Sequence, residues 1–198
     1  MMRCASALKA VVRDRAGVTA VEFALIAPVL LLTLAGLYDV GNMLYTKSLL
    51  EGSMQRAARN STIEGAGTNS ASIDQAITQN VRNAAPGATL TFTRKAYTSF
   101  TYVSRPEDFT DVNGNGSCDS GEPYEDANGN LTWDADRGMS GQGSARDAVL
   151  YTARMTYPLP FPGLKLLGYP NSMTLTAQTV LRNQPYAGQA APILTRNC

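Results

Sequence analysis

Apolar positions follow three regimes along this chain. From Val18 to Tyr38 they are nearly continuous; Glu22 is the one acid, and no charged residue occurs from Phe23 to Tyr38. About 21 such residues, rising about 1.5 Å each, cross a hydrocarbon core of about 30 Å, so the pattern predicts a membrane-spanning helix over 18–38. Pro28 lies inside it and predicts a kink near Ala24. Beyond the span, Val40, Met43/Leu44, Leu50, Met54 and Ala57/Ala58 recur at helical spacing, with Lys47, Glu51, Gln55 and Arg59 between them. An amphipathic stem helix over 39–62 is expected, stopped near Asn60-Ser61 and by Gly65-Ala66-Gly67.

The third regime is mixed. Ser72-Ile73-Asp74-Gln75 reads as a capping box opening a short helix, with Ile73, Ala76/Ile77, Val81 and Ala84 on one face and Pro86-Gly87 ending it. Leu90 and Phe92 then alternate with Thr89, Thr91 and Thr93, and the aromatic, β-branched stretch 97–103 predicts a further strand or hairpin. Val149, Tyr151, Ala153, Met155 and Tyr157 oppose Leu150, Thr152, Arg154 and Thr156. Met173, Leu175, Ala177 and Leu181 oppose Thr174, Thr176, Gln178 and Arg182. Such alternation fits an antiparallel sheet with one face on a helix and one in water, an α+β fold. The expected order is helix and strands over 63–104, a loop insertion over 105–145, antiparallel strands over 146–183 and a tail over 184–198. The Pro- and Gly-rich link from Pro158 to Asn171 is a connecting loop or a small exposed contact surface.

Charge narrows the function. With 17 Lys+Arg against 16 Asp+Glu, the net charge of +1 makes no case for nucleic acid. The absence of His removes imidazole zinc sites, the Ser-His-Asp triad and the Cys-His pair. The expectation is a non-enzyme, and a secreted hydrolase is disfavoured. Arg3, Lys9, Arg13 and Arg15 precede the span, which places the N-terminus in the cytoplasm and the rest outside. Cys118 and Cys198 both follow the span; they either pair in an oxidising compartment or stay as two free thiols.

Acid concentrates between 107 and 137. Residues 111–122 fit the calcium-loop pattern with Asp111, Asn113, Asn115, Ser117 (through its carbonyl), Asp119 and Glu122 as ligands, and Gly116 at the sharp turn. Short oxygen side chains at alternate positions point at one centre, and Glu122 supplies two oxygens. A second copy starts fifteen residues on. It matches at Asp126, Asn128, Asn130 and Asp134, but places Leu131 at the turn and Arg137 where Glu belongs; Asp136 is a partial substitute. These residues bind weakly, join one shared site, or form only a solvated turn cluster. Calcium is the expected cofactor, in a structural role.

Glu22 needs a reason, because a carboxylate in a membrane helix costs roughly 2.5–3.5 kcal/mol at its centre and less near an end. A basic leader, Gly17, four small or apolar residues, Glu22, Phe23 and then an apolar helix resemble a type IV prepilin cleavage site. The stretch from Arg15 to Gly41 is similar to the TadE-like minor pseudopilins of tight-adherence (Flp, type IVb) pilus systems. The resemblance implies a pilin-like fold and a leader over 1–17. It implies cleavage between Gly17 and Val18 by a prepilin peptidase, with Glu22 and Phe23 in assembly. Glu22 would neutralise the new amine of Val18 on a neighbouring subunit. The implied partners are other pilins, the assembly platform and the bacterial inner membrane. The alternative is a single-span, calcium-binding surface or adhesion domain without a filament role.

Overall fold

The computed structural model describes residues 17–61, 70–161, 165, 168, 170–184 and 193–198. The leader before Gly17, Gly65-Ala66-Gly67, much of the Pro-rich link and residues 185–192 lie outside the described residues. The chain divides into two compact units, one made of the chain up to Met43 with Leu159–Asn171, the other of Leu44–Pro158 with Ser172–Cys198.

A single helix, α1 (Val18–Ser61), contributes to both. In the first unit its large apolar side chains from Val18 to Val40 are exposed, from 46% at Leu30 to 76% at Leu25. Apolar surface on every side of a helix belongs in lipid or among partner subunits. By length and composition α1 is able to cross a membrane. Pro28 sits inside the helix and leaves the Ala24 carbonyl without its N–H donor. Of the link, Leu159 donates its N–H to the Asn171 carbonyl, and Phe161 packs edge-on against Tyr38 at 5.4 Å.

The second unit is a helix-backed sheet. Its elements are α2 (Ser70–Arg82), β1 (Thr89–Tyr97), β2 (Pro123–Asp126), β3 (Met139–Ser140), β4 (Ala148–Pro158), β5 (Ser172–Arg182) and β6 (Leu194–Asn197). Four strands form one antiparallel sheet in the order β3-β1-β4-β5, and β2 pairs with β6 in a second. The alternation in β4 decides which face is covered. Val149, Tyr151, Ala153, Met155 and Tyr157 are buried, and with Ala96, Ala177 and Leu181 they meet Leu50, Met54, Ala57 and Ala58 of α1 and Ile77 and Val81 of α2. Large side chains buried to this depth each contribute about 1.5–3 kcal/mol.

Three expectations are corrected. The helix expected to open at Ser72 already includes Ser70, so Ser72 and Gln75 do not form its capping box, and Asp74 lies inside the helix. Its carboxylate instead accepts both guanidinium nitrogens of Arg94, at 3.1 and 2.6 Å, and the Tyr151 hydroxyl, tying α2 to β1 and β4. Burial first, and then this hydrogen bond, push the Tyr151 hydroxyl well above its ordinary range. The stretch 97–103 is not a second strand: β1 ends at Tyr97, and Ser99 accepts the Thr101 N–H to cap a 3-10 turn over Phe100–Tyr102. Local side-chain capping there outcompetes β propensity. The expected tail contains β6, whose four residues pair with Pro123–Asp126 inside the insertion. Two glycines mark close approaches. A Cβ on Gly138 would lie 2.7 Å from the Tyr97 ring, and one on Gly143 would lie 2.4 Å from the Ala96 Cβ.

Candidate functional site

The insertion between Glu107 and Arg137 is built from two copies of one local geometry. In the first copy the Asp111 carboxylate accepts the N–H groups of Gly114 and Gly116 at 2.6 and 2.7 Å. Asn113 Oδ1 accepts from Asn115, and Asn115 Oδ1 from Ser117, at 3.0 and 2.8 Å. The side-chain nitrogens of Asn113 and Asn115 both donate to Asp119 Oδ2, at 2.8 and 2.6 Å. Short Asp and Asn side chains favour such turns because they bond to backbone two or three residues on. Gly114 and Gly116 take the positive φ values, +75° and +78°, that the tight path requires.

The second copy repeats these bonds in register. Asp126 accepts from Gly129 and Leu131, Asn128 from Asn130, and Asn130 from Thr132. Asn128 and Asn130 donate to Asp134 Oδ2 at 2.7 and 2.6 Å. Leu131 occupies the position of Gly116 and adopts the same backbone, with φ +73°. The departure at the turn therefore does not change the loop path; it places a β-carbon where glycine is favoured.

The closing carboxylates are exchanged between the copies. Glu122 closes the first loop: its two oxygens accept the Val112 and Asp119 N–H groups at 2.8 and 3.0 Å, and its own N–H reaches the Asp119 carbonyl at 3.0 Å. The second loop has the same three bonds, made by Glu107. Its oxygens accept the Ala127 and Asp134 N–H groups at 2.8 and 3.0 Å, and its N–H reaches the Asp134 carbonyl at 2.9 Å. Both glutamates are buried. Between them the chain runs antiparallel to itself, with Thr110 donating to the Pro123 carbonyl, Glu125 to the Asp108 carbonyl, and Phe109 bridging Tyr124. Each glutamate precedes the first aspartate of its own copy by four residues, Glu107 before Asp111 and Glu122 before Asp126, and closes the loop of the other. That spacing, repeated at fifteen residues, is the sequence signal for Glu107.

Asp136 and Arg137 are used elsewhere. Asp136 accepts from Lys95 at 2.5 Å and Tyr97 at 2.8 Å, linking the insertion to β1. Burial alone would raise its carboxyl, but these two hydrogen bonds outweigh it and hold it below its ordinary range. Arg137 is buried over the Tyr102 ring at 4.1 Å and pairs with Asp108 and Glu125. Neither residue takes part in the second loop, which corrects the partial-substitute reading of Asp136.

Cys118, within the first loop, is bridged to Cys198. The bridge and β6 hold the C-terminal end on the insertion, where Arg196 Nε also donates to Asp126 at 2.6 Å. Trp133 takes the place of Cys118 in the second copy. It donates to the Glu107 carbonyl at 2.9 Å and packs edge-on against Phe109.

Each loop gathers two Asp, two Asn and one Glu, the oxygen-rich set that suits a hard cation. Among the described residues no three Asp, Glu or Cys side chains converge closely enough to hold an ion by themselves. The amide nitrogens of the asparagines lie against Asp119 and Asp134, so a bound cation requires these amides to turn their oxygens inward.

The sequence-predicted assembly residues belong to the first unit and the loops to the second. Gly17 is the first described residue, and Glu22 and Phe23 are exposed within the first turns of α1. Glu22 has no ion-pair partner among the described residues. A family model described as TadE-like protein matches residues 17–59, nearly the whole of α1. No curated protein and no solved structure matches the chain at a significant level.

Proposed function

Taking residues 17–59 as a TadE-like segment, we propose that the chain is a minor pseudopilin of a tight-adherence pilus, anchored by α1 and processed after Gly17 by a prepilin peptidase. The observation that carries this is a coincidence of three features in one helix. The family match begins at Gly17, an acid and an aromatic follow at Glu22 and Phe23, and the apolar surface beyond them is uncovered. A soluble domain does not leave such a surface open, whereas a subunit that passes from lipid into a filament uses it twice. In this reading Glu22 neutralises the Val18 amine of a neighbour. An amine and a carboxylate buried together cost far less than either one alone.

The N-terminus lies in the cytoplasm and the second unit outside, as the basic leader directs and as suits a disulfide-bonded segment. The role is structural, not enzymatic. The first acidic loop binds calcium through Asp111, Asn113, Asn115, the Ser117 carbonyl, Asp119 and Glu122, which ties down an insertion that has little apolar core.

Intact mass and N-terminal sequencing of the protein from native membranes test the processing. A mature start at Val18 is expected. A start at Met1 or Met2 overturns the pseudopilin reading and leaves a membrane-anchored adhesion domain.

A further inference from the structure

We propose that the second acidic loop is a complete cation site, closed by Glu107 from outside its own loop, so that the insertion holds a symmetric pair of calcium ions. The inference deepens the calcium reading of the first loop and rests on it.

Most local bonds of the two loops correspond, apart from an Asn115 N–H to Asp111 bond found only in the first and a Thr132 hydroxyl to Asn130 bond found only in the second, and the correspondence extends to the closing glutamates. A site judged only on its own twelve residues fails at Arg137. Judged on the folded chain, it has Asp126, Asn128, Asn130 and Asp134 with a buried carboxylate held over the same two backbone positions as in the first loop. Both loops thereby have three carboxylates, which is the charge count that sets calcium affinity.

A separate observation points at a ligand there. Tyr124 is 2% exposed, and among the described residues its hydroxyl has no hydrogen-bond partner. Strand alternation puts Tyr124 on the same buried face of β2 as Asp126, the first ligand of the second loop. A buried hydroxyl is ordinarily hydrogen-bonded, because an unmade bond costs about 1–3 kcal/mol. A water in the coordination shell of an ion at this loop gives the phenol its partner, and water commonly fills one place in such shells.

Arg196 is the resident counter-charge. Its Nε sits on Asp126 Oδ2, while Asp126 Oδ1 takes the Gly129 N–H. An incoming cation competes with that guanidinium, so the second loop is expected to bind more weakly than the first.

The single tryptophan separates the loops experimentally. Trp133 lies within the second loop, so terbium emission excited through it reports that loop. The full chain in detergent micelles is titrated with calcium chloride by calorimetry, and with terbium by luminescence. Two calcium equivalents and Trp133-sensitised emission are expected. Glu107→Gln should weaken the second equivalent on the order of tenfold or more and abolish the emission. Glu122→Gln should remove the first equivalent and leave the emission. Should Glu107→Gln fail to fold, the near-isosteric Asp134→Asn carries the same expectation. One calcium equivalent, unchanged by Glu107→Gln and removed by Glu122→Gln, overturns the second site and leaves the first standing. No calcium binding at all overturns both.

Discussion

Leu131 carries the clearest local conflict between residue type and backbone. It holds φ +73° at the point where the first loop has Gly116 at +78°, and its side chain is 63% exposed, so little burial compensates. A β-carbon in the left-handed region costs about 1–2 kcal/mol, and part of any gain from glycine is lost to the greater freedom of the unfolded chain. Leu131→Gly should therefore stabilise the second unit by about 1 kcal/mol, and Gly116→Leu should destabilise it by at least as much. Urea unfolding followed by Trp133 fluorescence checks both. Equal midpoints for Leu131→Gly and the parent chain would show that the Leu131 side chain makes contacts that offset its backbone. The conflict also shows why the path of the second loop is hard to read in the sequence. A glycine missing from a motif reads as a broken turn, yet the neighbouring Asx bonds are strong enough to impose the same path on leucine.

At the scale of elements, legibility followed the range of the interactions. The strands at 148–158 and 172–182 were plain because period-two alternation is a local signal and their buried face follows from it. The long helix was plain for the same reason. Three things were not. The 3-10 turn at Phe100 depends on one serine overriding a run of good strand formers. β6 is four residues with a single Leu, and only its partner, Pro123–Asp126, makes it a strand. Glu107 lies outside the twelve residues that a loop motif inspects, and only the antiparallel crossing near Phe109 and Tyr124 brings it to the second loop. The Cys118–Cys198 pairing lay between these cases: the thiols were visible, but the β2-β6 ladder that brings them together was not. That bridge closes a separation of 80 residues, for which chain entropy alone gives about 4.5 kcal/mol as an upper figure. Cys198→Ser should lower the stability of the second unit by about 2–4 kcal/mol and release β6 before the main sheet unfolds. Hydrogen exchange at residues 194–197 reads this directly. Protection that survives both Cys198→Ser and reduction of the parent chain would assign the anchoring of β6 to its ladder and Arg196 instead.

For the whole molecule, the apolar half of α1 and the loop-bearing second unit serve different ends, and a variant should be able to disable one while sparing the other. Membrane insertion depends on total hydropathy, and removing one carboxylate raises it, so Glu22→Ala should insert at least as well as the parent chain. Assembly is a different equilibrium. In the proposed function the leader is cut, the Val18 amine would enter an apolar environment between subunits, and Glu22 would be the acid that meets it. Taking one member from a buried pair typically costs about 3–5 kcal/mol, because a charge is left without its partner. With about 1.4 kcal/mol per tenfold, incorporation should fall by more than about a hundredfold. The ratio of this subunit in sheared filaments to that in membranes measures it, with mass analysis showing that cleavage after Gly17 still occurs. Calcium binding by the loops should be the same in this variant as in the parent chain, since they lie in the other unit. Normal incorporation of a correctly cleaved Glu22→Ala subunit would remove the amine-pairing argument. Glu22 would then be an acid that reaches the membrane surface, and the exposed apolar face of α1 would have to drive assembly by packing alone.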